Sequence, residues 1–471
     1  MNEVHKIVIR GKIYRLIYEM NKNTRISVKT PVGISEEQII TEGIAQGSIE
    51  GASVSAVSLA MGVNEFFMDS ADEVCYAGLK LMPIMYQDDV ARLATSPSSV
   101  QSGNIRMEAM AESKLLDFNL QKSGFIAIGS QAVRKATEDD LADNPITLFG
   151  QVMKKFKEAK YLGDWISEKG LSESVVCTVN KRKGLAIAAI HEIRSVVDDC
   201  RSNICGGLQV GLDIWEVAIL PMLLYNSECW TGITSRTMED LEDIQRRFLR
   251  HLVGVGSGCP IPALYWETGC MPIKYRILKN KLIFYHHLAT LPSSSLAQEI
   301  FSLQESLELP GLATECQDFL ITNRIDRVKL YSKLEWKRHI KNIVCRMVED
   351  DLRTDSLAYK KINFTGESFG RKHYIGEMKT NDGRLMFKYR SRMTPEVQMN
   401  FMSNTDYARD MWTCTGCKTV ENEKSWKKDS QEHILICPGY SELRQNKDLT
   451  SDGDLVAYFR EVILLRQNQI S

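Results

Sequence analysis

Leu79-Lys80-Leu81-Met82-Pro83-Ile84-Met85-Tyr86-Gln87-Asp88-Asp89-Val90-Ala91-Arg92-Leu93 sets two adjacent carboxylates between two apolar runs. The alternation predicts two short strands meeting at Gln87-Asp88-Asp89. Pro83 is awkward in the first of them, because proline removes a ladder donor and prefers edges or bulges. At a hairpin tip Asp88 and Asp89 repel each other unless something positive lies against them. A divalent metal is the usual answer, since hard cations take oxygen ligands and bridge phosphates. An exposed acidic turn is the other reading, and the tetrapeptide alone does not choose.

Upstream, Glu42-Gly43-Ile44-Ala45-Gln46-Gly47-Ser48 places glycines on both sides of a glutamine. Such glycines permit close backbone approach to a ligand, and the Gln46 amide can bond a base or sugar edge. Read alone, it is equally a turn ahead of a helix. The pattern predicts an amphipathic helix over 13–18 and a strand over 25–30 that stops at Pro31-Val32-Gly33. It further predicts a buried helix over 46–67 and strands over 125–128 and 161–166. From about 171 the apolar spacing turns helical: 185–197, 213–224, 237–253 and 277–288. Thr237-Met238-Glu239-Asp240 reads as a cap with acids in the first turn. Leu291-Pro292-Ser293-Ser294-Ser295 marks a boundary and Leu309-Pro310-Gly311 a turn.

Composition narrows the class. Lys plus Arg is 59 and Asp plus Glu 60, so a uniformly basic protein is excluded, and 44% hydrophobic residues exclude a mainly disordered chain. At 471 residues the chain is too long for one core. Neutrality hides segregation, however. Residues 1–33 carry seven Lys/Arg against two acids, and 324–392 carry 18 against nine. Basic blocks in a neutral protein suit either a polyanion or an ordinary solvated helix surface. The opening Met1-Asn2-Glu3-Val4-His5-Lys6 meets charge at once, so no secretory signal is expected. The longest uncharged apolar stretch, 217–225, is nine residues, against roughly 20 needed to span a bilayer. A soluble intracellular chain, nuclear or cytoplasmic and without a membrane partner, is the expectation.

Twelve cysteines without an export signal are expected to be reduced thiols unless some bind metal. Cys414-x2-Cys417-x15-His433-x3-Cys437 supplies four soft or borderline donors, a set suited to tetrahedral structural Zn2+. Free thiols in a loop are the alternative. A closed site of this kind folds a small module rather than catalysing.

Taken in order, these motifs resemble the later part of the reverse transcriptase of non-LTR, LINE-type retrotransposons. Gly43-Ile44-Ala45-Gln46-Gly47-Ser48 resembles the family's Gly-x-x-Gln-Gly motif, and Tyr86-Gln87-Asp88-Asp89 its aromatic-x-Asp-Asp box. Leu116-Asp117-Phe118-Asn119-Leu120-Gln121-Lys122-Ser123 followed by Gly124-Phe125 is similar to the next motif, and Tyr161-Leu162-Gly163 to the palm-closing strand. Ile219-Leu220-Pro221-Met222-Leu223-Leu224-Tyr225, Cys229-Trp230 and Gln245-Arg246-Arg247-Phe248 are similar to the family's helical thumb, and the Cys-Cys-His-Cys knuckle to its C-terminal region. The resemblance implies an α+β chain: a partial palm (1–170), a helical thumb (171–295), a basic helical region (296–405), a zinc knuckle (406–445) and a C-terminal tail (446–471). It implies RNA-templated DNA synthesis, with RNA, DNA and dNTPs as partners. Asp88 and Asp89 would hold Mg2+, Lys122 would lie near the nucleotide phosphates, and Gly43, Gln46, Gly47 and Tyr86 would position template and nucleotide.

One departure bears on activity. The family's metal site takes a further Asp from an earlier strand, and this chain has no aspartate before Asp69. Losing a carboxylate that holds both ions of a two-metal site costs several kcal/mol of transition-state stabilisation, at about 1.4 kcal/mol per tenfold in rate. The expectation is therefore a chain inactive on its own. The alternative is a non-catalytic, zinc-containing RNA- or DNA-binding remnant. A third possibility is an inert fragment whose incomplete sheet leaves an open edge.

Overall fold

Short strands joined by tight turns alternate with helices in the first third of the chain, and helices make up most of the rest. In the computed structural model the described residues are 12, 15, 18–19, 22, 25–39, 49–68, 74–114, 116–199, 205–359, 362, 364, 366–394, 414–420, 427 and 429–470. The chain is α+β and divides into two compact units: residues 1–159 with 167–170, and 160–166 with 171–471.

In the first unit, turn chemistry sets the strand boundaries. Val74–Tyr76 pairs with Leu79–Leu81 through Ala77 and Gly78, both at positive φ (48° and 85°), the pairing of conformations a tight two-residue hairpin demands. Pro83 falls in the link after that hairpin, which removes its conflict with a ladder. Ile84–Tyr86 then pairs antiparallel with Asp89–Ala91 across Gln87-Asp88. Because side chains alternate, Met85 and Val90 turn inward together against a small core of Val63, Phe67, Met107 and Met110. Tyr86 and Asp89, opposite one another, face outward. The core is made by helices Ile49–Phe67 and Pro97–Lys114, the second opened by a proline whose missing N–H costs nothing there.

The expected strand over 25–30 is two short ones, Arg25–Ile26 and Lys29–Thr30, which pair with Gln38–Ile39 and Gly33–Ile34. Gly124–Phe125 pairs in parallel with Lys154–Lys155. A methyl group on Gly124 would come within 2.5 Å of the Lys154 carbonyl, so only glycine fits. Among the described residues every sheet has two strands.

The expected strand over 161–166 is interrupted. Leu162 and Gly163 take positive φ (48° and 92°) and turn the chain between Glu158–Tyr161 and Asp164–Ser167. In the second unit Arg182 holds this turn, bonding Asp164 at 2.6 Å, the Gly163 carbonyl at 2.9 Å and the Tyr225 carbonyl.

Three of the expected helices are longer than their periodic cores: Leu171–Asp199, Ser235–Val253 and Ile273–Ala289. The fourth, expected over 213–224, is not one regular helix: Gly207–Ile214 passes into a π-helical turn at Trp215–Ile219, and Leu220–Leu223 ends it. Ser235–Val253 buries Leu241, Ile244, Phe248, Leu249 and Leu252 at helical spacing. It is capped by Thr234, whose hydroxyl accepts from the Thr237 N–H, so the cap precedes the expected one. It ends at Gly254 in the left-handed region. One cluster of buried residues continues through this unit and includes Leu241, Trp266, Trp336, Phe387, Cys414 and Phe459. Among the described residues no helix is long and apolar enough to cross a membrane.

Candidate metal centre

Cys414 sits just ahead of the short helix Thr415–Val420 and Cys417 within its first turn, so two intervening residues bring both sulfurs to one side. Ser430 caps the helix Gln431–Ile436 by accepting from the His433 N–H at 3.2 Å. That helix places His433 and Cys437 four residues apart on one face. All four donor atoms lie within 4.8 Å of one another. Cys414 and Cys437 sulfurs are 3.7 Å apart, Cys417 and Cys437 sulfurs 3.8 Å, and His433 Nε2 is 3.0 Å from the Cys417 sulfur. A disulfide needs about 2.05 Å, so these are not bonded sulfurs. An ion with metal–sulfur bonds of about 2.3 Å in tetrahedral geometry separates its sulfurs by about 3.8 Å. The donor set and its spacing fit a metal ion of that kind.

A second layer holds the ligands. Arg466, from the helix Asp452–Ile470, points a guanidinium N–H at the Cys414 sulfur (3.7 Å) and bonds both carboxylate oxygens of Asp429 (2.7 and 3.0 Å). Its Nε donates to the Tyr440 hydroxyl at 2.8 Å. Arg466 and Asp429 are both buried. Burial works against the Arg466 charge, and the bonds to Asp429 more than restore it, leaving the guanidinium held above its ordinary range. The Cys414 thiol is drawn down to about 5, first by its hydrogen bond with Cys437, then by the Cys417 backbone N–H and Arg466, against burial. Cys437 is pushed up by the same shared bond and by burial. A thiolate is thus favoured at Cys414, the state in which sulfur binds metal. Gly416 and Gly439 make the close approach possible: a methyl group on Gly439 would lie 2.1 Å from the Gly416 carbonyl oxygen.

The other expected site residues are arranged differently. Asp88 and Asp89 are exposed at the tip of their hairpin, beside exposed Tyr86. Lys122 is exposed in a turn closed by its own N–H on Asn119. Among the described residues, no hydrogen bond or ion pair joins these three, and the Cys/His group is the one set of three or more metal-type side chains close enough to share an ion. Gly43, Gln46 and Gly47 lie outside the described residues.

The basic block over 324–392 separates into two kinds of residue. Arg353 bonds Glu349 and the carbonyls of Phe364 and Glu367, and Arg390 bonds Glu267 and Glu367. Lys372 pairs with Glu367 and Arg384 bonds the Leu252 carbonyl. Arg324, Arg327, Lys329, Lys333, Lys337, Arg338, Lys341 and Arg346 are all exposed.

The sequence reading missed Asp429, Tyr440 and Arg466, and it took 446–471 for a tail. A signal was present. Leu455, Phe459, Val462 and Arg466 recur at helical spacing, which puts an arginine on a core-facing stripe. Comparison with known protein families and with curated proteins returned no match.

Proposed function

We propose that the chain is a nucleic-acid-binding protein of reverse-transcriptase ancestry, in which zinc held by Cys414, Cys417, His433 and Cys437 fastens the C-terminal region. The observation that carries the binding is the exposed basic run over 324–346, which the internal ion pairs of the second unit leave to solvent. Phosphate contacts from such a face give affinity that falls steeply with salt. The zinc assignment rests on the sulfur separations and the buried second layer around them.

The polymerase reading is second. Its support is the hairpin that sets Tyr86 opposite Asp89 with Asp88 in the turn. Two exposed carboxylates do not make a two-metal site, and no nucleotidyl-transfer step is assigned to the chain. Titration of RNA and DNA binding against salt, together with dNTP incorporation on a primed RNA, separates the two. Salt-dependent binding that persists in Asp88→Asn and Asp89→Asn without incorporation supports the first reading. Incorporation lost on either substitution would replace it with the second.

A further inference from the structure

The helix Lys333–Ser356 carries most of its cations and most of its acids in separate halves. Lys333, Lys337, Arg338, Lys341 and Arg346 outnumber Glu335 in its N-terminal half, while Glu349, Asp350, Asp351 and Asp355 outnumber Arg353 in its C-terminal half. The helix dipole acts within the first and last turns, where Glu335 and Arg353 already complement it, so helix stability does not account for the segregation between them. Lys333, Lys337 and Lys341 also repeat at four-residue spacing, which sets like charges side by side on one face. The only acid among them, Glu335, is used in the capping box, accepting from the Ser332 N–H at 2.9 Å. Among the described residues, none of the three lysines has an ion-pair partner.

The same helix borders a cleft of about 410 Å³ against the helix Ile273–Ala289, within the usual size for a small-ligand site. Lys333 and Lys337 stand on one wall, and Phe284 and His287 on the other, with Glu228 the single carboxylate. Trp336 is wholly buried and forms the floor, its indole N–H donating to the Leu282 carbonyl. Phe284, half-buried, and His287, exposed, present an open ring pair with centroids 6.2 Å apart. Further along the same two helices the cations continue. Half-buried Lys279 is drawn below its ordinary range first by burial, then by Arg276, with Lys341 adding to it.

We infer that this cleft binds a single strand of nucleic acid, with one base against Phe284 and His287 and successive phosphates along Lys333, Lys337 and Lys341. The inference rests on the nucleic-acid-binding reading above and gives it a location and a strand preference. A row of cations beside an open aromatic surface is what single-strand binding uses, since every base has a face to stack.

The test uses the full zinc-loaded chain and fluorescein-labelled 20-mers of oligouridylate and oligothymidylate, followed by anisotropy across a salt series. The variant K333A/K337A/K341A is expected to flatten the salt dependence by about two in log–log slope, from three phosphates at about 0.7 each. His287→Ala is expected to weaken binding about tenfold at every salt concentration with the slope unchanged. His287 and the lysines are exposed, so these variants should keep the wild-type melting curve. A triple variant with the wild-type slope overturns the cleft while leaving nucleic-acid binding intact. Equal binding of polyglutamate, with His287→Ala silent, overturns it in favour of an acidic protein. A wild-type chain that binds neither oligonucleotide removes both the cleft and the broader reading.

Discussion

The hairpin tip at Asp88-Asp89 and the cluster at Cys414, Cys417, His433 and Cys437 both present metal-type side chains, but only one has anything behind it. At the tip the carboxylates are exposed, and among the described residues no hydrogen bond or ion pair fixes their rotamers. At the cluster three sulfurs are buried, a glycine pair lets two short helical turns touch, and Arg466 braces Cys414 from a helix far along the chain. The difference shows that ligand identity is the smaller part of a metal centre. A preorganised second layer is what turns four donors into a site.

The comparison breaks most sharply by removing the metal. Cys417→Ser, or chelation, is expected to release about one equivalent of zinc and to expose the helices Gln431–Ile436 and Asp452–Ile470 to hydrogen exchange. Structural zinc contributes about 10–16 kcal/mol of apparent binding energy in small modules. The helices Ile49–Phe67 and Pro97–Lys114 in the first unit should exchange as before. Unchanged protection of 452–470 after chelation would mean that the C-terminal helix stands without the ion.

Loss of the arginine brace should rank second. Arg466→Met leaves the Asp429 carboxylate buried without the guanidinium and is expected to cost about 3–5 kcal/mol. Adding Asp429→Leu should recover much of that loss, because a pair of apolar residues carries no desolvation cost. A double-variant loss equal to the sum of the losses in Arg466→Met and Asp429→Leu alone, read from denaturant midpoints, would show that the two side chains act independently.

The legibility of these features follows sequence distance. The four ligands sit at short spacings, so local pattern identified them, and the periodic cores of the long helices were visible for the same reason. Arg466 and Asp429 are 37 residues apart, and no local window pairs them. The basic block failed in the same way. A count of 18 cations cannot tell that Arg390 is committed to Glu267, 123 residues earlier, while Lys337 is left exposed. In the first unit, turns decided what alternation left open. Pro83 in a link and Leu162-Gly163 in a turn each divide a run that periodicity read as one strand.

Acid should probe the second unit's internal ion pairs more gently. Burial works to raise Glu367, but Lys372 at 2.8 Å and Arg390 at 2.7 Å outweigh it and pull the carboxyl down to about 2 from an ordinary 4.5. The folded value lies below the unfolded one, so this contribution is complete above about 4.5 and is lost as pH falls toward about 2. Glu367→Gln is therefore expected to shrink the drop in denaturant midpoint between pH 5 and pH 3 relative to the wild type. An identical drop in both proteins would place the acid sensitivity on other carboxylates.

The smallest effect belongs at the hairpin tip, and its smallness is informative. Asp88→Asn and Asp89→Asn remove charge from two exposed positions that bond no other side chain among the described residues. Stability should move by less than about 0.5 kcal/mol, and zinc content should not change. Relief of the repulsion between neighbouring carboxylates makes a slight gain the expected sign. Added Mg2+ gives the sharper reading. If millimolar Mg2+ raises the melting temperature of the wild type and not of either variant, the tip has found a third ligand and becomes a metal centre in its own right. If Mg2+ leaves all three proteins alike, the acidic turn is a solvated one, and the contrast between the two regions stands as drawn.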